Sequence, residues 1–114
     1  MQSKQAKKVT LKRGMRPKHP GTILKNIILP ELAITQLGLA KRLGVSRRTI
    51  SEIIRERRPV TPDMAMRLSR VFKTTPKFWL NLQAAVDLWQ LDNIKGKVYA
   101  KIAPLPVRQE RKAS

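Results

Sequence analysis

The stretch that most restricts the fold is "QLGLAKRLGVSRRTISEIIR", from Gln36 to Arg55. In this twenty-residue span Leu39, Leu43, Val45, Ile50 and Ile53 take the fourth, eighth, tenth, fifteenth and eighteenth places. Leu39 and Leu43 stand one helical turn apart, and Ile50, Ile53 and Ile54 share a face by the i, i+3, i+4 rule. Between them Gly44 sits where a tight turn needs positive φ, and Ala40 where two crossing helices would collide with a larger side chain. The spacing predicts two short helices joined by one turn, the helix-turn-helix pattern.

Punctuation around this unit predicts five helices and an all-α fold. "HPGTILKNIILPEL" places Pro20 in a first turn, where its missing N–H is harmless, followed by Ile23, Leu24, Ile27 and Ile28 at helical spacing. Helix one is expected over 20–29, because Pro30 costs about 3 kcal/mol in a helix interior and so marks an exit or a restarted turn. Thr35 caps the second helix and Gly44 stops it. Ser46 caps the third, which is expected to end near Arg57 because Pro59 disfavours helix in the residue before it. Thr61-Pro62 and Thr75-Pro76 start two more by one device, a hydroxyl acceptor followed by a residue that needs no donor. Their apolar faces are Met64, Ala65, Leu68, Val71 and Phe72, then Phe78, Trp79, Leu82, Val86 and Trp89. Such stripes are read as core, not as a cofactor box.

Charge divides the chain into three. Residues 1–18 hold seven Lys/Arg and no acid, and are read as a disordered arm, either a solvated tail or one that tracks DNA. Residues 19–93 form the folded domain. Residues 94–114 are a basic tail, in which Val98, Ala100 and Ile102 alternate with Lys97, Tyr99 and Lys101 as in a short strand. The net charge of +18 exceeds what solubility requires and points to a polyanionic partner.

Other classes fit poorly. His19 is the sole histidine, cysteine is absent, and the seven acids lack paired spacing, so no catalytic or metal site is read and no cofactor or small-molecule substrate is expected. The tails lack the aromatic and leucine face of an interfacial helix, no apolar run approaches a membrane span, and no aromatic platform for RNA is interleaved with the basic residues. The chain is therefore expected to be soluble, unexported and cytoplasmic.

A helix-turn-helix explains why "GVSRRTISEIIRERR" is apolar on one side and cationic on the other. The three isoleucines face inward, while positions 47, 48, 51, 52 and 55 face outward. The second helix of such a pair enters the major groove with its N-terminal residues at base edges. Arg47 and Arg48 are thus the candidates for guanine O6 and N7. Glu52 can accept from cytosine N4, orient an arginine, or simply pair with Arg48 or Arg55. Gln36 can donate to a phosphate, and Ser46 and Thr49 cap the helix or touch phosphate. Arg55, Arg57 and Arg58 are expected to clamp phosphates and set register. One motif reads few base pairs, so a homodimer on inverted half-sites is expected, with Phe78, Trp79, Leu82, Leu88 and Trp89 offering apolar surface across the two-fold axis.

"HPGTIL", "TQLGLAKRLGVSRRTISEII" and "RRPVTPDMAMRLSRVFKTTPKFWLNLQAAVDLW" resemble the HigA family of addiction-module antitoxins, Xre-type helix-turn-helix proteins related to phage repressors. The resemblance covers about residues 19–92. It implies a dimeric antitoxin that neutralises a HigB-type ribosome-dependent mRNA endonuclease and represses its own operon through a palindromic operator. It also implies DNA contacts at Gln36, Arg47, Arg48, Ser51 and Glu52. Two departures stand out: Arg55-Glu56 replaces a frequent Asn-Gly, and Thr22 replaces the acid of "HPGE". A stand-alone regulator of the same fold is the competing expectation.

Overall fold

The computed structural model describes residues 15–106, and the remainder of the expected arm and tail falls outside them. Five helices follow in order: α1 Pro20–Leu32, α2 Gln36–Leu43, α3 Arg47–Ile54, α4 Pro62–Phe72 and α5 Pro76–Ala100. No strand occurs among the described residues.

Each helix start follows from a side chain that accepts an otherwise unpaired amide. His19 Nδ1 accepts from the Gly21 N–H at 2.9 Å, and Thr35 Oγ1 from Gly38 at 2.9 Å. Ser46 Oγ accepts from Thr49 at 3.1 Å, Thr61 Oγ1 from Met64 at 3.2 Å, and Thr75 Oγ1 from Phe78 at 3.1 Å. Such caps contribute about 1 kcal/mol each, which is how the sequence marks these boundaries.

Three elements differ from expectation. At Pro30 the second of its two expected outcomes is found. After a π turn at Leu24–Ile28, where the Leu29 N–H reaches the Leu24 carbonyl, an α turn restarts over Leu29–Leu32 with Pro30 in its first turn. Helix α1 therefore runs past residue 29 to Leu32. The widened turn relieves the proline ring of its clash with the carbonyl four residues earlier, so the helix continues past it. Helix α3 stops at Ile54, short of Arg57. Glu56 at φ 63° closes it, its N–H donating to Ile53 O while Arg57 N donates to Glu52 O. That is a Schellman closure with a non-glycine residue in the left-handed position.

The third difference lies at the C-terminal end. Lys97–Ala100, expected as a strand, are the last turn of α5, with Lys101 N donating to Val98 O at 3.2 Å and Ile102 N to Tyr99 O at 3.0 Å. A strand needs a partner for its amides, and a helix already running from Pro76 supplies carbonyls without one. The boundary at residue 93 thus falls inside α5, two residues before its kink at Lys95 (φ −118°, ψ 15°).

The core gathers Leu24, Leu39, Ile50, Ile53, Leu68 and Trp79 from all five helices, each fully buried. Trp79 therefore does not belong to a subunit interface. Its ring lies beside Phe72 and edge-on to Phe78, and its Nε1–H donates to Thr74 Oγ1 at 2.8 Å. Leu82 is half-buried against the same core, whereas Phe78 and Leu88 are 42% and 67% exposed. Helix α1 meets the end of α3 backbone to backbone at Gly21, where a Cβ would lie 1.9 Å from the Ile53 carbonyl oxygen.

Candidate nucleic-acid interface

The turn between α2 and α3 is fixed twice. Gly44 adopts φ 74°, and the Val45 N–H returns to the Ala40 carbonyl at 3.0 Å. Arg67 of α4 then donates from Nη1 to Leu43 O at 2.8 Å, while its Nε donates to Asp63 at 2.8 Å. This guanidinium caps the C-terminus of α2 and complements its dipole. Sequence reading missed it; only the Asp63–Arg67 i, i+4 pair hinted at an ordered arginine.

On this frame α3 turns Ile50, Ile53 and Ile54 inward, all buried, and presents Arg47 and Arg48 to solvent at its N-terminal end. Ser51 and Glu52, one turn on, are half-buried, and Gln36 is half-exposed at the start of α2. Ser46 and Thr49 hydroxyls lie 3.0 Å apart, so the cap residue also engages its neighbour's side chain. Arg55, Arg57 and Arg58 are exposed beyond the helix end. The ten expected contact residues thus lie on α3, at its N-cap in the α2–α3 turn, on the loop after it, or at the start of α2.

Glu52 is the most heavily engaged of them. Arg48 donates to Oε2 from Nε at 2.9 Å, and Arg58 donates to Oε1 from Nε at 2.9 Å and from Nη2 at 2.6 Å. Hydrogen bonds from Arg58, then from Arg48, hold its carboxyl below the usual range. Of the pairings expected for Glu52, Arg48 is observed and Arg55 is not, while Arg58 was not foreseen in this role. The residues after it are anchored through Val60, whose N–H donates to the buried Gln83 Oε1 at 2.8 Å.

A second carboxylate stands at the far end of α3. Glu56 accepts from Arg16 Nη2 at 2.6 Å and from Thr22 Oγ1 at 2.7 Å, which lowers its pKa, Arg16 foremost. Arg16 also lies 6.0 Å from the centre of the Trp89 ring. Arg16, within the expected arm, is thereby tied to the residue that closes α3 and lies over α5. Among the described residues no group of acids and histidines could hold a metal ion, and no single helix is long and apolar enough to cross a membrane.

The helix-turn-helix family profile matches residues 24–79. Antitoxin HigA-1 of Vibrio cholerae is 38% identical over 98 residues, 86% of this chain and 92% of that protein. The chain belongs to the HigA family of helix-turn-helix antitoxins. YbaQ of Escherichia coli, an uncharacterized helix-turn-helix-type transcriptional regulator, is 47% identical over 78 residues, 68% of this chain and 69% of that protein. The solved Pseudomonas aeruginosa antitoxin HigA with the higBA promoter superposes with a TM-score of 0.75 at 42% identity, covering 80% of this chain and all of that one. Membership makes this HigA-type chain a DNA-binding regulator and not an enzyme.

Proposed function

We propose that this protein binds a palindromic operator as a homodimer in the cytoplasm, represses its own operon, and neutralises a HigB-type mRNA endonuclease. The observation that carries the DNA half of this reading is the exposed pair Arg47 and Arg48 at the N-terminal end of a helix whose opposite face is buried isoleucine. Gln36, Ser46, Thr49 and Ser51 surround them as backbone and base contacts with Glu52 beside them, and Arg55 and Arg57 supply phosphate neutralisation, Arg58 being drawn onto Glu52. The dimer is favoured by exposed Phe78 and Leu88, with half-buried Leu82 and Trp89 beside them, and by Leu91 and Ile94 one turn further along α5. Large exposed apolar surface of this kind marks an interface more often than bare surface.

The P. aeruginosa HigA solved with the higBA promoter supports an operon-borne toxin partner. The likeness to YbaQ favours a second reading, a stand-alone regulator without one. Fluorescence anisotropy with duplexes from the protein's own upstream region tests the repressor role, with tight binding to a palindromic segment expected. Co-purification with the product of the adjacent small reading frame separates the two readings. An adjacent gene whose toxicity this protein does not relieve leaves the regulator.

A further inference from the structure

The Arg48–Glu52–Arg58 cluster is asymmetric. Arg48 is held by Nε alone, its side chain 83% exposed, and its two terminal nitrogens bond nothing among the described residues. Arg58 instead turns its Nε–Nη2 edge onto the same carboxylate. A guanidinium has five N–H groups, and the one given to Glu52 leaves Arg48 the four on its terminal nitrogens, the edge that can span guanine O6 and N7. Three donors already occupy the Glu52 carboxylate, two on Oε1 and one on Oε2, which leaves one of its roughly four acceptor lone pairs, on Oε2. Cytosine N4 could donate a hydrogen bond only to that remaining site, beside two arginines that already hold the carboxylate by charge-assisted bonds.

We propose that Glu52 is a positioning residue for guanine recognition, holding Arg48 by Nε with its terminal edge outward, while Arg58 locks the carboxylate from the loop. This rests on the proposed reading of Arg48 at base edges. The α3–α4 loop is suited to serve as the fixed side of the clasp: Glu56 closes α3 in the left-handed region, and Gln83 pins Val60. Preorganisation reduces the side-chain ordering that binding would otherwise require, and it orients Arg48 for a base instead of a phosphate. The carboxylate also offsets one of two neighbouring cations, which weakens attraction to any phosphate backbone alike. Glu52 therefore raises selectivity by two routes.

Selection from a randomised duplex library, followed by anisotropy on the selected duplex, its single guanine-substituted variants and a non-cognate duplex, tests this with the full-length protein. Wild type is expected to select guanine at one place per half-site, and Arg48→Ala to lose that preference. Glu52→Ala is expected to lose about tenfold of it, within the range one bidentate contact supplies, while binding the non-cognate duplex more tightly. Glu52→Gln, which keeps one acceptor oxygen, falls between, and Arg58→Ala reduces the preference without the gain in non-cognate binding. If Arg48→Ala abolishes the preference and Glu52→Ala keeps it, the positioning role is wrong and the base-reading assignment stands. If Arg48→Ala keeps it, both fall. Equal weakening on every duplex by Glu52→Ala, alongside a lower melting temperature, reduces Glu52 to a structural residue and overturns the proposal.

Discussion

His19 and Gly21, two residues apart, fix how α1 meets the end of α3. Burial, above all, lowers the His19 pKa from 6.5, and its Nδ1 is occupied as an acceptor for the Gly21 N–H. The folded protein resists a proton that the unfolded chain takes up near pH 6.5, so stability is full above that pH and declines as pH falls below it. Glu52 and Glu56 have the same sign at lower pH: their pKa values lie below 4.5, so their contribution is lost only on acidification past that value. Urea unfolding at pH 7.5 and 5.5 is expected to give a lower midpoint at 5.5, and His19→Asn, which keeps a capping acceptor, is expected to flatten the difference. Gly21→Ala drives a methyl into the Ile53 carbonyl, and overpacking of this sort costs about 1–3 kcal/mol or more, read as a fall in melting temperature. Thr22 and Glu56, the two departures from the family pattern, meet each other at 2.7 Å. An acid at 22 would face Glu56, so Thr22→Glu is expected to destabilise by ~1 kcal/mol and Glu56→Gly to rescue it, a coupling that a double-mutant cycle measures.

Among the elements, those whose limits are set locally were legible and those set by tertiary contact were not. The hydroxyl caps at Thr35, Ser46, Thr61 and Thr75, the glycine turn at Gly44 and the isoleucine face of α3 all depend on neighbours within four residues, and the sequence names those neighbours. Pro30 marks a restarted turn, one of its two expected outcomes, and the expected end at residue 29 fell short because a π turn lets the helix carry on past the proline. Val98, Ala100 and Ile102 misled because Val98 and Ile102 are also one helical turn apart, so a short alternation fits either period. Helix α5 bears aromatic and apolar residues around more than one face, and periodicity alone did not say that Trp79 points inward and Phe78 outward. Arg58 was assigned to phosphate because nothing in the sequence shows a loop residue curling back onto Glu52. The continuation of α5 past residue 93 is testable. Gly96 lies just after the Lys95 kink with negative φ, and a Cβ there meets only Asp92 Oδ1 at 3.4 Å. Gly96→Ala is expected to stabilise α5 by about 0.5–1 kcal/mol, seen as greater helical circular dichroism and a higher melting temperature.

For the whole molecule, charge and symmetry meet in the salt dependence of binding. The net charge of +18 attracts any duplex, but only cations that sit against phosphates release counterions on binding. With Arg58 engaged by Glu52, the exposed cations available for that at the end of α3 are Arg55 and Arg57, with Gln36 and the residues of the α2–α3 turn donating without charge. Those two arginines alone give a slope of log K against log salt of about −2 per protomer. About six neutralised phosphates, a slope near −5 per protomer and near −10 for a dimer on two half-sites, require about four further cations from elsewhere on the chain. The doubling ties the DNA reading to the oligomeric one, because it vanishes if the protein acts as a monomer. Leu88 and Ile94 are 67% and 76% exposed, so a charge there leaves the folded core intact while opposing any packing across a two-fold axis. Leu88→Asp with Ile94→Asp is therefore expected to shift sedimentation at micromolar concentration from dimer to monomer, halve the salt slope and leave the melting profile cooperative. Arg47→Ala in the dimer is expected to cost about 1–3 kcal/mol on one sequence and relax the choice at a single base pair. A variant that sediments as a monomer yet retains the full slope means that the phosphate contacts belong to one protomer and the operator is not read as two halves.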